Sequence, residues 1–310
     1  MKTALISHPD CLLHDMGHAI PEIPERLTVI DQAISSSDLM SQLQQYVAPF
    51  ATKDQLLRVH DPEYIDYIFM SSPKTGTIPL DPDTWMNPYT LNAALHAAGA
   101  AVLGVDLVMT GKSKAAFCNI RPPGHHAERS TAMGFCIFNN VAVGVAHALE
   151  HYGIQRIAII DFDAHHGNGI ENIFLNNEKV LYCSSFEHPF YPFSGADTIS
   201  DHILNIPLVA GTDGKDVRPK MQEHWYQRLL EFKPEMLFFA AGFDAFYQDV
   251  MSDLMFQVED YAWMTREIIQ LTQESTQHRI VSLLEGGYAL GGLGDCVVAH
   301  LREICHLSRK

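Results

Sequence analysis

What this chain has little of sets its class first. Only 19% of its 310 residues are charged, and basic residues are the scarcer kind. There are 21 Lys and Arg against 37 Asp and Glu, a formal charge of −16. Nucleic-acid binding needs a basic footprint, so that partner is excluded. No stretch of 18 or more consecutive apolar residues occurs, and the opening MKTALISHPDC lacks an apolar signal core. Neither a membrane span nor export is therefore expected. The six cysteines (Cys11, Cys118, Cys136, Cys183, Cys296 and Cys305) contain no C-x-x-C pair. They read as reduced thiols of a cytoplasmic protein rather than a disulfide framework. The glycine-rich run 286–294, GGYALGGLG, is not a G-x-G-x-x-G fingerprint after a strand, which argues against dinucleotide binding. Repeats, low-complexity tracts and linkers are missing too, so one domain over 1–310 is expected.

Two things are plentiful. Apolar residues make up 47%, enough for a real core. Histidine occurs 17 times, with adjacent pairs at His125-His126 and His165-His166. From about residue 90 the chain alternates. A helical spacing of Leu91, Leu95, Ala98, Val102 and Val105 leads to a short apolar run at 115–120. A helix ending near Gly153 precedes a buried-strand pattern at 154–163. Strands are predicted at 180–185, 203–208, 236–243 and 279–288. Helices are predicted over 215–232, 258–275 and the C-terminal segment. Such alternation predicts a mainly parallel sheet covered by helices on both faces. The first 85 residues are less regular, with a Pro-rich stretch at 14–27, a helix from about Arg26, and a turn-rich loop at 73–88.

Open parallel sheets bind ligands beyond the carboxyl ends of their strands. Four predicted strands here end in polar, glycine-rich clusters: RPPGHHAE, DFDAHHGNG, FDA and EGGY. Asp161, Asp163 and His165 alternate, so an extended backbone would turn them to one side. Asp244, ending another strand, could complete a metal set with a fourth position open to water. His125 and His126 follow the stiff Pro122-Pro123-Gly124 turn and should have different roles, one of them as a base. Tyr288 follows Gly286-Gly287, whose freedom lets it approach a small ligand.

RPPGHHA, DFDAHHGNG, AGFDA and EGGY, in this order and spacing, resemble the histone deacetylase superfamily. GFCIFNNVAV (134–143) and PERL (24–27) extend the likeness over nearly the whole chain. It looks most like class II-type bacterial deacetylases and acetylpolyamine amidohydrolases. The resemblance implies the arginase–deacetylase fold, a three-layer α/β/α domain with a mostly parallel eight-stranded sheet. It implies one zinc ion on Asp163, His165 and Asp244, with His126 as base, His125 as its electrostatic support and Tyr288 gripping the carbonyl. It further implies that Asp161 orients His125 and that Asn168 orients His126. A structural potassium site is implied at Asp161, Ser184 and main-chain oxygens of Asp163 and His165. Phe135 and Tyr191 match the tunnel walls, and Arg26 the arginine beneath the site.

The departures from the family's pattern lie on loops: Ile20 in the usual HPE, Phe186, Phe193, and FYQDVMSD after Asp244. Phe186, Phe193 and Met251 are expected near the mouth. The implied substrate is an acylated amine, with acyl-lysine favoured over acetylpolyamine because Met251 stands where polyamine-selective relatives can carry an acid. Self-association is left open. An arginase-like two-manganese site is disfavoured by Asn168 and Ala245-Phe246. A catalytically silent domain is disfavoured by the presence of both His126 and Tyr288.

Overall fold

The computed structural model describes residues 1–17 and 20–306. His18 and Ala19, inside the Pro-rich stretch, and the last four residues of the C-terminal segment lie outside the described residues. In chain order the elements are β1 (Thr3–Ser7), α1 (Glu25–Ser36), β2 (Leu43–Val47), α2 (Lys53–Leu56), α3 (Pro62–Ser71), β3 (Ile78–Pro79), β4 (Trp85–Met86), α4 (Thr90–Met109) and β5 (Ala115–Cys118). Then come α5 (Asn140–His151), β6 (Ile157–Asp161), α6 (Asn168–Phe174), β7 (Val180–Glu187), β8 (Ile203–Leu208), α7 (Gly214–Met221), α8 (Gln227–Phe232), β9 (Met236–Ala241), α9 (Val258–Thr276), β10 (Ile280–Leu284) and α10 (Leu290–His306).

Eight strands form one sheet in the order β2-β1-β5-β10-β9-β6-β7-β8. Every pairing in it is parallel. All eight carboxyl ends therefore share one edge. The four strands that end in polar clusters (β5, β10, β9, β6) are consecutive neighbours at its centre.

Alternation along these strands divides the core between two helical layers. On one face Ala116 and Val281 meet α4 at Gly104, and Phe238 meets α5 at Gly144. One residue on, Phe117, Phe239 and Ser282 turn the other way, to His300 of α10. His300 is wholly buried, bonded through Nδ1 to Thr265 and through Nε2 to Ser282, and burial lowers its pKa to about 3. It is a neutral packing residue. Helices α1 and α9 flank α10, completing the three layers.

Helix α4 has a mean hydropathy of 1.5 over a membrane-length window, of which 72% is buried against the sheet and α5. By length and composition alone it is apolar enough to cross a bilayer; here it is an interior helix. Several elements escaped the periodicity, among them β1, β2, α3 and α6. Strand β2 (LQQYV) is an edge strand with only Leu43 buried, so it lacks an apolar signature. The helix expected over 215–232 is broken by a wide π-type turn at Gln222–Tyr226, after Pro219 withdraws one backbone donor.

Gly99 marks the closest approach of α4 to its neighbour. A Cβ there would lie 2.0 Å from the Pro49 carbonyl oxygen, on backbone that is itself tied to α4 by Ala51 N–H donating to Leu95 O. A helix-interior Gly→Ala change normally stabilises by ~1 kcal/mol. Gly99→Ala should reverse that sign and destabilise by about 1–3 kcal/mol through overpacking, read as a lower urea midpoint at constant m.

Candidate active site

The loops after the four central strands converge on a cavity of 330 Å³. Asp163 and His165 follow β6, Asp244 follows β9, His125 and His126 follow β5, and Tyr288 follows β10. The ligating atoms of Asp163, His165 and Asp244 all lie within 4.8 Å of one another, and all three residues are buried. His165 Nδ1 stands 3.1 Å from Asp163 Oδ1 and 3.0 Å from Asp244 Oδ2. Asp161 does not join this group. Its Oδ2 faces His125 Nδ1 at 3.1 Å and accepts the Tyr182 hydroxyl at 2.8 Å.

Backbone donors fix the carboxylates. Asp163 accepts from the N–H groups of His165 (2.9 Å) and Gly286 (2.8 Å), and Asp244 from that of Ala164 (2.8 Å). Gly286 fits because it has no side chain: a Cβ would sit 2.2 Å from Asp244 Oδ2. Gly134, at φ 57°, allows an equally close approach to the His126 ring. An acid just past the end of β10 also matters that carried no assigned role in the sequence, Glu285 of the EGGY run. Its Oε2 accepts from the N–H groups of Gly124 (2.6 Å) and His125 (3.0 Å), holding the loop that carries both histidines. Burial raises its pKa to about 7.

The paired histidines differ in charge. Burial acts to lower the pKa of His125, but the Asp163 and Asp161 carboxylates outweigh it and raise it to about 10. Burial, reinforced by the neighbouring His125 and His165, holds His126 well below 6.5. His126 Nδ1 lies 2.8 Å from Asn168 Oδ1, while the Asn168 amide donates to Glu128 Oε1 at 2.8 Å. That orientation puts the proton on Nδ1 and leaves a lone pair on Nε2. Their environments thus push the two imidazoles in opposite directions, the kind of separation that acid–base chemistry uses.

Phe135, Tyr191 and Met251 line the cavity, as do Phe190, Asp83 and Val250. One expectation about the mouth is corrected. Phe186 is buried and packs on His166 with ring centroids 4.5 Å apart, because its position on β7 turns it inward. Phe193 is 75% exposed and does not line the cavity. Asp249 has no freedom to reach inward to a substrate. It is buried and accepts the N–H groups of Tyr288 (2.6 Å) and Ala289 (2.9 Å). Asp83 comes from the turn-rich 73–88 loop, whose β3–β4 ladder pairs Ile78 with Met86 and Pro79 with Trp85. Ser184 lies beside Asp161 in register and contacts His166 Nδ1 at 3.2 Å.

Arg26 lies under Tyr288, its guanidinium 4.7 Å from the ring centroid, and donates to the carbonyls of Gly287 (2.6 Å) and Glu285 (2.5 Å). It is held in turn by Glu22, which also grips Arg121 through both carboxylate oxygens. All three side chains are fully buried. Removing the shared anion would strand two guanidiniums, so Glu22→Gln should destabilise the fold by about 3–5 kcal/mol. Burial acts to raise the Glu22 pKa, but Arg121, His14 and Arg26 hold it well below the ordinary range. A depressed folded pKa gives stability that is present above the unfolded carboxyl's pKa and lost as pH falls through the folded one. The gap between wild type and Glu22→Gln in urea midpoints should therefore narrow in strong acid.

Fold and site together define the class: an α/β/α amide-hydrolysing enzyme of the arginase–deacetylase fold, its reactive groups gathered at the carboxyl edge of the sheet. The chain belongs to the histone deacetylase family, whose histone deacetylase domain model matches residues 20–304. A probable deacetylase of Archaeoglobus fulgidus is 35% identical over 94% of this chain and 83% of its own length. The polyamine deacetylase HDAC10 of Mus musculus is 36% identical over 96% of this chain, which spans about half (47%) of the mouse protein. Among solved structures, the HD domain of HDA15 superposes with a TM-score of 0.92 at 29% identity, covering 100% of this chain and 90% of that one.

Proposed function

We propose that this chain is a single-domain zinc-dependent deacetylase that removes acetyl or another short acyl group from a lysine-like amine. The observation that carries the reading is the buried Asp163–His165–Asp244 cluster at the foot of an aromatic-walled cavity, beside a neutral histidine. Two carboxylates and one imidazole form a zinc-type donor set with room for water. A zinc ion bound there supplies Lewis acidity toward a carbonyl and lowers the pKa of water.

The remaining work falls to side chains. His126 Nε2 accepts a proton from the attacking water and returns it to the leaving amine. His125 stays cationic and adds positive charge where the oxyanion develops. The Tyr288 hydroxyl, its pKa raised well above 10 first of all by burial, keeps its proton and donates it as a hydrogen bond to the acyl oxygen. Phe135 and Tyr191 flank an alkyl chain. Asp161, Ser184 and the main-chain oxygens of Asp163 and His165 are assigned to a structural potassium ion. Burial of all six cysteines supports a reducing, cytoplasmic setting.

A second reading, acetylpolyamine hydrolysis, is favoured by Asp83 in the cavity lining and by the likeness to the mouse polyamine deacetylase. Met251 and the internally bonded Asp249 favour lysine. With purified protein, acetyl-lysine peptides should match or exceed acetylspermidine in kcat/KM. A preference of more than about tenfold for the polyamine, roughly 1.4 kcal/mol, would replace the first reading by the second.

Tyr288→Phe deletes one hydroxyl while leaving the backbone anchored on Asp249. It should lower kcat about 10²–10³-fold, as loss of an oxyanion donor does, with metal content and urea midpoint unchanged. Exhaustive chelation should abolish turnover, and one equivalent of Zn²⁺ should restore it. Activity that survives chelation would refute the metal assignment.

A further inference from the structure

Tyr182 lies within β7 with its side chain wholly buried, and the proposed chemistry makes no use of its hydroxyl. It stands in register with Ile159 of β6, two residues before Asp161 on that strand. Residues two apart share a face, so the length of the tyrosine carries its hydroxyl up to the Asp161 carboxylate. There it donates to Oδ2 at 2.8 Å and stands 3.3 Å from the Gly167 carbonyl oxygen. The same Oδ2 faces His125 Nδ1 at 3.1 Å. A carboxylate only accepts hydrogen bonds, so the imidazole proton belongs on Nδ1. The other oxygen, Oδ1, accepts the Asp163 N–H at 3.1 Å. One carboxylate is thus held at both oxygens, by β7 and by the loops after β6 and β5.

The junction is closed. A Cβ on Gly167 would lie 2.4 Å from both Asp161 Oδ2 and the Tyr182 hydroxyl, and 3.1 Å from His125 Nδ1. Packing this close leaves no space for a water molecule to take over the hydroxyl's bond. The donor is also neutral. A lysine or arginine in its place would compete with His125 for the charge of the carboxylate, whereas a phenol fixes the carboxylate and leaves that charge to the imidazole. His125 depends on the steering: its ring lines the cavity, with Nε2 3.7 Å from Asp163 Oδ2. Any rotation of the Asp161 carboxylate is passed through Nδ1 to Nε2.

We propose that Tyr182 is a positioning residue of this site: its hydroxyl locks the Asp161 carboxylate in the plane that aims His125 Nε2 into the cavity. Tyr182 is not among the residues lining the cavity, so it acts through Asp161 and not on the substrate. The kinetic consequence rests on the proposed deacetylase function; the orientation of the His125 ring is observable without turnover.

Tyr182→Phe keeps the ring and deletes the hydroxyl. With zinc loaded and potassium held constant, kcat for an acetyl-lysine peptide should fall about tenfold at unchanged KM, part of the ~10²-fold that a misplacement of about 1 Å can cost. Asp161→Asn should lose more, and adding Tyr182→Phe to it should cost about twofold or less, because residues that act through one another are not additive. Wild-type kcat in Tyr182→Phe, or losses that multiply in the double variant, overturns the proposal. The Nδ1–H proton of His125, followed by NMR and assigned by its loss in His125→Ala, gives the second readout. It should shift upfield in Tyr182→Phe as its bond to Asp161 loosens; a resonance that stays in place or moves downfield overturns the proposal. A zinc-loaded wild type without deacetylase activity would refute the proposed function, and the NMR shift would then decide the role of Tyr182 by itself.

Discussion

Four carboxylates, Asp161, Asp163, Asp244 and Glu285, are buried at the carboxyl edge of four adjacent strands, each no more than 1% exposed. Isolated in a protein interior, each would cost several kcal/mol and would neutralise or drive the loops apart. The surrounding chain is arranged to answer that cost. Gly124 and His125 from one loop bind Glu285 of the next; Gly286 binds Asp163; Ala164 binds Asp244. Each acid thus joins the loop of one strand to the loop of another. The same charges that create a cation site are the joints that hold its walls together.

Compensation by backbone N–H groups has a limit, and the imidazoles supply the rest. Asp161 and Asp163 share His125 and raise its pKa, while His126 beside it meets an amide oxygen instead of a carboxylate. His125 faces two carboxylates, whereas burial and the neighbouring His125 and His165 hold His126 low, and Asn168 only orients its ring. An acid at that place would add a second anion near the ring and favour imidazolium; the amide orients the ring without doing so. The asymmetry arises from which partner each ring has, since both rings are buried alike.

Much of this was legible in the sequence, because the central strands are buried on both faces and read as unbroken apolar runs that stop at polar clusters. The strand ends at Asp161 and Ala241 and the glycines that follow are visible for that reason. What was hidden depends on contacts distant in sequence. Glu22, 99 residues from Arg121 along the chain, looks like an ordinary surface acid until the fold buries it. Strand β2 has one buried side chain and no period to detect. Phe186 falls one residue past the strand predicted at 180–185; β7 runs on to Glu187 and carries Phe186 into the core.

The same distinction between edge and loop separates chemistry from selectivity. The floor is tied to backbone on the sheet, whereas Val250 and Phe193 are largely exposed. Asp83 stands between these two classes. Its Oδ1 accepts the N–H of Gly134 at 3.0 Å, and Thr84 beside it accepts that of Phe135 at 2.9 Å. Gly134 in turn abuts the His126 ring with no space for a Cβ. Asp83 and Thr84 together therefore position Phe135 and the segment packed against His126, while Asp83 also lines the cavity. On the proposed function, a change at Asp83 made to alter substrate preference would also disturb the segment packed against His126.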